Sequence, residues 1–269
     1  MAGFEKLLII GCGNMGGAML AGWLAAGEAP SRFAILDPAL PEAPEGVALY
    51  RDPTEAEGHD AVLFGFKPQQ LSALAPGLQE ITRDTIAFSL LAGIELASLA
   101  EAFPSASAHV RVMPNLAARL RKSPVILSEN GLSQEARDAA QAFFAKLGTA
   151  VWLDDESKFN LVTALAGSGP GFVYRFIDAL AEAASELGLD RAQAESLALA
   201  TVEGASALAA VSENSPGELA DRVASPGGMT REGLNVLDQE KALISLLKAT
   251  LKATSDKGEA LSEAAKNQG

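Results

Sequence analysis

The sequence predicts an α/β fold: a doubly wound, mostly parallel sheet in residues 1–154, followed by an all-helical domain in residues 155–269. Three observations lead to this prediction. Short apolar runs, typical of strands buried on both faces, alternate with helical sequence through the first half of the chain. The first of these runs leads directly into a glycine-rich turn and a helix start. Beyond about residue 154 such runs stop, and alanine, leucine and glutamate dominate.

Five clear runs and two weaker ones predict the strands of the sheet. The clear runs are Leu7–Ile10, Phe33–Leu36, Asp60–Phe66, Thr85–Leu91 and Val110–Met113, and the weaker ones are Val125–Leu127 and Ala150–Leu153. Lys67-Pro68 is expected to end the third run, because proline cannot continue a central strand.

In the second half, apolar spacing predicts helices over about residues 157–188, 191–212, 216–223 and 229–265, with breaks at Gly188, Pro216 and Pro226. The last helix is expected to be continuous, since neither glycine nor proline occurs between Leu237 and Gly258.

The glycine-rich turn is a G-x-G-x-x-G fingerprint, Gly11-Cys12-Gly13-Asn14-Met15-Gly16. Gly11 permits the tight turn, Gly13 lets the backbone approach a pyrophosphate, and Gly16 lets the helix pack closely on the strand. The pyrophosphate would lie on the free N–H groups of the helix that follows. The context of strand, fingerprint and helix therefore predicts a dinucleotide-binding Rossmann domain.

An acidic residue about twenty positions beyond the fingerprint supports this interpretation. Asp37 follows the predicted strand Phe33–Leu36, where its carboxylate can accept hydrogen bonds from the adenosine ribose hydroxyls and would repel a 2′-phosphate. The alternative is that Asp37-Pro38 only begins a turn.

Composition excludes several classes of function. A net charge of −13 argues against nucleic acid and anionic membranes as partners, and we expect no membrane-spanning stretch of roughly 20 apolar residues. A single cysteine, Cys12, excludes an internal disulfide and favours a reducing cytoplasm. The two histidines, with no cysteine or acidic cluster at ligand spacing, predict no metal site.

Two segments rich in glycine and hydroxyl groups interrupt the helical half, at residues 163–170 and 225–234. In the second, Gly227 and Gly228 open a helix with Thr230 in its first turn, an arrangement suited to binding a carboxylate. The alternative is a loop in which Ser225 or Thr230 caps the helix.

Together these segments carry a resemblance that covers nearly the whole chain. The matching motifs are GCGNMGGAM at 11–19, FKPQQL at 66–71, LAGI at 91–94, VRVMPN at 110–115, TALAGSGPGFVY at 163–174 and VASPGGMTREGL at 223–234. With these motifs the chain resembles the pyrroline-5-carboxylate reductase family of proline biosynthesis. GSGP and SPGG, at this spacing after a Rossmann domain, are more specific than the first fingerprint.

The resemblance implies hydride transfer from NADPH or NADH to the C=N bond of 1-pyrroline-5-carboxylate, giving L-proline. It also implies that the helical domain forms a homodimer or higher oligomer, with each active site between the Rossmann cleft and the helical domain.

Site residues follow from the same resemblance. Residues expected to line the nicotinamide half of the cofactor site are Phe66, Lys67, Pro68, Ala92 and Gly93, with Asn115 close by. Residues expected to bind the substrate are Ser168, Gly169, Ser225, Gly227, Gly228, Met229 and Thr230, with the substrate carboxylate on backbone N–H groups of the SPGG loop. Thr230, whose hydroxyl would approach the ring nitrogen, and Glu213 are the expected catalytic residues.

Several positions depart from the family pattern and remove hydroxyl groups near the expected site, at Leu116-Ala117, Ala166 and Met229. A reductase of another cyclic imine, or a non-catalytic paralogue that binds dinucleotide or proline, therefore remains an alternative. The resemblance also implies that Asp52 lies near the adenosine ribose, where it would join Asp37 as a second carboxylate near the 2′-position. We therefore expect NADH to be preferred, although Arg32 and Arg51 lie close enough in sequence to oppose this.

Overall fold

The computed structural model describes residues 4–266, and its strands form one sheet. The strands are β1 Leu7–Ile10, β2 Phe33–Leu36, β3 Ala48–Tyr50, β4 Ala61–Phe64, β5 Ile86–Ser89, β6 Ala108–Met113, β7 Ser123–Asn130 and β8 Gly148–Trp152. Their order in the sheet is β3-β2-β1-β4-β5-β6-β7-β8. The first six are parallel, β7 pairs antiparallel with β6, and β8 is parallel to β7. The predicted doubly wound, mostly parallel sheet is confirmed.

Several strand bounds differ from prediction, β7 being the most extended at eight residues, and two of the differences have a clear cause. β3 was not predicted because it is a three-residue edge strand without a buried apolar run. β4 ends at Phe64 rather than at Lys67-Pro68. The cause is Gly65, whose N–H donates to the Ile10 carbonyl and whose backbone packs against Gly11, so the chain leaves the strand there.

Helices cover both faces of the sheet and form the second half of the chain. They are α1 Asn14–Ala25, α2 Leu71–Leu74, α3 Gln79–Thr82, α4 Leu96–Ala102, α5 Gln134–Phe144, α6 Phe159–Val162, α7 Gly169–Glu186, α8 Arg191–Val211, α9 Pro216–Val223, α10 Met229–Asp238 and α11 Ala242–Lys266.

Each face of the sheet has its own apolar cluster. On the face of α1 and α5, Trp23 stacks against Phe33 and Phe143, with ring centroids 5.6 and 4.5 Å away, and those two rings are themselves 6.3 Å apart. On the other face, Phe64 of β4 stacks on Phe103, with centroids 4.4 Å apart. Burial of these large rings contributes on the order of 2–3 kcal/mol each, so the two clusters hold the sheet between its helices.

Topology determines where a ligand can bind. β1, β4 and β5 are neighbours and parallel, so the loops after them meet at one edge of the sheet. This is the switch point from which the chain winds in both directions, and ligands of open α/β sheets bind there.

Two predicted helices are interrupted. In place of one helix over 157–188, α6 is followed by a π-helical turn, Thr163–Gly167, and then by α7. In place of one helix over 229–265, α10 and α11 are separated at Gln239–Lys241, where Glu240 and Lys241 have φ of 50° and 60°. Neither residue is a glycine, which is why the break was not predicted.

The described residues divide into two compact units. One holds the sheet, with the chain up to Gly167 and the residues from Thr254 onward, and the other is Ser168–Ala253. The sequence placed the boundary at residues 154 and 155, so the division by contacts assigns residues 155–167 and the end of α11 to the unit with the sheet.

The helical unit buries few apolar side chains. Its cluster is Ala181, Ala194 and Ala198, with Ile177 and Ala184 packed against it. Large apolar side chains on its helices are exposed, among them Tyr174, Phe176, Leu197, Leu208, Val236 and Ile244. A single chain therefore leaves a large apolar surface uncovered in this unit, a pattern that marks an interaction surface.

One helix, α8, has the length and composition of a membrane-spanning helix, which the sequence was not expected to contain. α8, 21 residues long, is apolar enough by length and composition to cross a membrane, contrary to what the sequence indicated. A single such helix does not establish a span, because the helices of soluble proteins pass the same test.

Candidate active site

The fingerprint forms a close junction between the loops after β1 and β4. Gly11 has φ +82°, and a Cβ on it would lie 2.8 Å from the Phe66 nitrogen. A Cβ on Gly16 would lie 3.3 Å from the Gly11 carbonyl oxygen and 3.4 Å from Ile9 Cγ2. Both glycines thus permit backbone contacts that a side chain would block, as the fingerprint requires.

Gly13 differs from these two, since a Cβ there would meet no described atom within 4 Å. Gly13 is also the N-cap of α1, and none of the side chains that the structure describes caps this helix end. The first N–H groups of α1, at Asn14 and Met15, are therefore left uncapped by the described side chains at the positive end of the helix dipole. This geometry fits the pyrophosphate of a dinucleotide.

Asp37 lies beside the fingerprint and also begins a turn. Its Oδ2 accepts the Cys12 N–H at 3.0 Å, and its Oδ1 accepts the N–H groups of Ala39 and Leu40 at 2.9 and 3.1 Å. The two interpretations of this residue are therefore compatible. Burial, and next the charge of Asp37, raise the pKa of the Cys12 thiol to about 11, so the thiol is neutral at physiological pH.

The two arginines expected to attract a 2′-phosphate lie at opposite edges of the sheet. Arg51 follows β3 at the fingerprint edge and donates to the carbonyls of Asp37 and Pro41, at 2.6 and 3.2 Å. Arg32 precedes β2 at the opposite edge, where it pairs with Glu28, so the expectation that Arg32 opposes NADH preference is wrong.

Asp52 also follows β3, but its carboxylate serves the local backbone. Its Oδ1 accepts the Thr54 N–H at 2.9 Å and the Thr54 hydroxyl at 2.7 Å, which caps a short 3₁₀ helix. These hydrogen bonds lower the pKa of Asp52, so it remains ionised at neutral pH.

The residues expected at the nicotinamide lie after two neighbouring strands. Phe66, Lys67 and Pro68 follow β4, and Ala92 and Gly93 follow β5. A cavity of about 940 Å³ opens between α2 and α4, and its lining includes Pro68 and Ala92. Lys67 is exposed, and its N–H donates to Gln70 Oε1 at 3.1 Å.

Asn115 is buried at the end of β6 and holds two backbone segments. Its Oδ1 accepts the Ala117 N–H at 2.9 Å, and its Nδ2 donates to the Ala166 carbonyl, inside the π-helical turn, at 3.0 Å. π-helical turns recur at functional sites because they displace a helix locally. No local sequence pattern predicts this contact, because it joins residues 51 positions apart.

In the helical unit, Ser225-Pro226-Gly227-Gly228 is a tight turn at the start of α10. The Gly228 N–H donates to the Ser225 carbonyl at 2.9 Å, and Gly227 has φ +72°. Pro at the second position and Gly at the third are typical of a type II turn. The Gly228 N–H is thus already bonded, which corrects the expectation that it is free to bind a carboxylate.

Beyond this turn the start of α10 is open. Gly228 is its N-cap, and within the described part of the chain no side chain caps it, so neither Ser225 nor Thr230 performs the capping considered above. Met229 and Thr230 are exposed in its first turn. Glu213 is exposed in the loop between α8 and α9.

The two remaining substrate-site candidates lie at the start of α7. Ser168 precedes α7, and its carbonyl accepts the N–H of Gly171 at 2.9 Å, while Gly169 is the first residue of that helix. Among residues 4–266, no group of three or more His, Cys, Asp or Glu could hold a metal ion.

Comparison with known proteins gives matches over nearly the whole chain. A family model described as pyrroline-5-carboxylate reductase dimerisation matches residues 156–261, and one described as NADP oxidoreductase, coenzyme F420-dependent, matches residues 6–93. Pyrroline-5-carboxylate reductase 2 of Bacillus subtilis is 34% identical over 267 residues, which cover 94% of this chain and 95% of the relative.

Solved structures agree. A pyrroline-5-carboxylate reductase from Coxiella burnetii has a TM-score of 0.90 at 30% identity, over 96% of this chain and 98% of that one. Plasmodium falciparum pyrroline carboxylate reductase, with NADP bound, shares the fold with a TM-score of 0.81 at 24% identity, over 97% and 100% of the two chains. Since relatives at this identity align along nearly their full length, the resemblance found in the motifs is confirmed, and the chain belongs to the pyrroline-5-carboxylate reductase family.

Proposed function

We propose that this chain reduces the C=N bond of 1-pyrroline-5-carboxylate to give L-proline, with a nicotinamide cofactor. The observation that carries the proposal is family membership along nearly the whole chain, joined to an open fingerprint loop that fits a pyrophosphate. When bound, the reduced nicotinamide supplies the hydride that the imine carbon accepts. The ring nitrogen takes a proton from a hydrogen-bonded donor or from water.

For the cofactor, we assign the pyrophosphate to the backbone of Gly11–Gly16 and the nicotinamide to the loops after β4 and β5. The first assignment is supported by the open space at Gly13 and the uncapped end of α1. The second is supported by the adjacency of β1, β4 and β5 in the sheet. Asn115 acts in this scheme by holding the π-helical turn.

Preference for NADH over NADPH is also part of the proposal. Asp37, fixed beside the fingerprint by three backbone N–H groups, would repel a 2′-phosphate. Arg51 weakens this preference, because its guanidinium lies against the backbone of the same turn. Asp52 contributes a second negative charge nearby, although Thr54 engages its carboxylate.

For the substrate, we assign the carboxylate to the N–H groups at the start of α10, those of Met229 and Thr230. They are the groups that the tight turn leaves available once Gly228 is bonded to Ser225. Thr230 would then donate to or orient the ring nitrogen through its hydroxyl, with Glu213 as the nearby acid. Ser168 and Gly169 are assigned to the same site through the family motif alone.

We further propose that residues 155–269 act as the dimerisation and substrate domain of a cytoplasmic homodimer or higher oligomer. The uncovered apolar side chains of the helical unit support dimerisation, since a second copy would bury them. The single cysteine suits a reducing compartment.

The test is oxidation of NADH and of NADPH by the purified protein with racemic pyrroline-5-carboxylate, followed through the absorbance of the reduced nicotinamide. We expect turnover with both cofactors, a higher kcat/KM with NADH, and a loss of roughly 10²-fold in Thr230→Ala. The matched control is Thr149→Ala, which removes an exposed threonine hydroxyl from strand β8. Cofactor binding without turnover would favour the non-catalytic paralogue. Turnover only with other cyclic imines would favour a reductase of another cyclic imine.

A further inference from the structure

The tight turn between β5 and α4 carries two of the residues assigned to the nicotinamide. The Ile94 N–H donates to the Leu91 carbonyl at 3.3 Å, and both side chains are buried. Between them lie Ala92 and Gly93, and Gly93 has φ +78°. A Cβ on Gly93 would lie 3.4 Å from the backbone of α11 at Leu261. The turn therefore packs against α11, where a side chain on Gly93 would be in van der Waals contact with the helix backbone.

Hydrogen bonds fix the turn at both ends. Where it leaves β5, the Ser89 hydroxyl accepts the Leu91 N–H at 3.2 Å. Where it enters α4, the Leu96 N–H donates to Glu156 Oε1 at 2.9 Å, although Glu156 is 60 residues away in sequence. Among the described residues, the side chain of the N-cap residue Glu95 does not cap this helix start, whatever its other contacts. Glu156 therefore supplies the cap that the local sequence does not.

Glu156 is itself held by a buried arginine. Arg111 Nη1 donates to the same Glu156 Oε1 at 2.8 Å, and the Arg111 side chain is only 5% exposed. The Arg111 guanidinium carbon lies 3.8 Å from the centroid of the Phe159 ring. Arg111 of β6 pairs with Ser89 of β5 in the register of the sheet. The contacts at the two ends of the turn therefore both come from residues attached to these two strands.

Burial makes this arrangement sensitive to charge. Removal from water lowers the pKa of Arg111, while Glu156 and then Glu95 favour its charged form. An arginine stays protonated even so, and the buried cation needs its carboxylate. Because one oxygen of Glu156 serves both Arg111 and Leu96, any shift of the ion pair also shifts the start of α4.

We propose that Arg111 and Glu156 are positioning residues, which set the place of the Ala92-Gly93 turn against the nicotinamide ring. The inference rests on the proposed function, since that function places the ring at this turn. Displacement of a reacting group by about 1 Å can slow a reaction by roughly 10²-fold. The pair therefore acts on the rate of hydride transfer rather than on whether cofactor binds.

The test compares Glu156→Gln with Glu129→Gln. Glu129 is a matched control: its Oε2 accepts the Leu132 N–H at 3.1 Å, its Oε1 lies 3.6 Å from Arg137 Nη1, and Arg137 stands over the Trp152 ring at 4.7 Å. Both substitutions thus remove a charge that faces an arginine on an aromatic ring. The control lies on β7, which is not a neighbour of β5, and its arginine keeps a second carboxylate, since Arg137 Nη2 lies 2.6 Å from Asp154 Oδ1.

In Glu156→Gln we expect kcat to fall about tenfold or more, with KM for the cofactor changed less than about threefold. The isotope effect on kcat with 4-deuterated NADH should rise, because hydride transfer becomes more rate-limiting. In the protein without cofactor, amide hydrogen exchange over residues 90–96 should accelerate about tenfold. Glu129→Gln should leave all three measurements unchanged.

A double variant, Arg111→Met with Glu156→Gln, provides the rescue. It removes the unpaired cation and keeps an amide oxygen for the Leu96 N–H, so kcat should return to within about threefold of wild type. The proposal is overturned if Glu156→Gln folds and keeps wild-type kcat. Should Glu156→Gln not fold, the proposal is overturned if kcat and exchange at the turn do not change together in the double variant, that is, if exchange accelerates while kcat stays at the wild-type value, or kcat falls about tenfold or more while exchange is unchanged. It is also overturned if Glu129→Gln is equally impaired. Absence of turnover in the wild-type protein would instead refute the proposed function.

Discussion

Gly13 and Gly11 stand two residues apart in the fingerprint, yet the structure predicts opposite consequences of replacing each with alanine. A Cβ on Gly13 meets no described atom within 4 Å, and the φ of −72° there suits any residue. Gly13→Ala should therefore lower the free energy of unfolding by less than about 1 kcal/mol, the cost of alanine at an N-cap.

The effect of Gly13→Ala on NADH binding should be larger than its effect on stability. The new methyl group would occupy the space assigned to the pyrophosphate and weaken at least one charge-assisted hydrogen bond, worth about 1.5–3 kcal/mol. The Kd for NADH should rise roughly tenfold to a hundredfold. Gly11→Ala should instead lower the free energy of unfolding by about 2–4 kcal/mol, because φ is +82° and its Cβ would lie 2.8 Å from the Phe66 nitrogen.

The assay is a fluorescence titration with NADH, together with urea unfolding of each variant. Gly17→Ala is the control, since a Cβ there also meets no described atom within 4 Å and alanine suits the interior of α1. It should leave the Kd unchanged. The reasoning is refuted if folded Gly13→Ala binds NADH as tightly as wild type, or if Gly17→Ala weakens binding as much.

Three further outcomes are expected. Arg51→Ala should reduce kcat/KM for NADPH about tenfold and leave that for NADH within about twofold, because the lost cation would face only a 2′-phosphate; an equal loss for both cofactors would place Arg51 elsewhere. Glu240→Gly should raise the free energy of unfolding by about 1 kcal/mol, measured by urea titration, because Glu240 has φ +50°; a loss of stability would contradict the strain assigned there. Alkylation of Cys12 in the folded protein should accelerate near pH 11, the value to which burial and next Asp37 raise its pKa from 9.0, and a rise centred near pH 9 would show that the thiol is not shielded.

The glycines and Asp37 show what the sequence could predict. Each acts through neighbours a few residues away or through a strand-turn-helix motif whose geometry is general, so Gly11, Gly16 and the fingerprint edge are found where they were expected. The turn at Ser225–Gly228 could also have been predicted from the sequence, because Pro226-Gly227 indicates a type II turn, in which the Gly228 N–H is hydrogen-bonded.

Other features depend on distant residues and left no local signal. Glu156 caps α4 from 60 positions away, and Asn115 reaches the π-helical turn across 51. The break between α10 and α11 occurs at Glu240 and Lys241, residues that favour helix, so their propensity does not predict it. Arg32 was placed near the cofactor by sequence distance, whereas the direction of β2 carries it to the opposite edge.

The central claim is that this chain transfers hydride from a reduced nicotinamide to the imine carbon of pyrroline-5-carboxylate. The most direct measurement is the mass and NMR spectrum of the product formed from NADH deuterated at the transferred position of C4. The account predicts L-proline with one deuterium at Cδ, the former imine carbon. Unlabelled proline, or no proline from a folded protein that binds NADH, would contradict it.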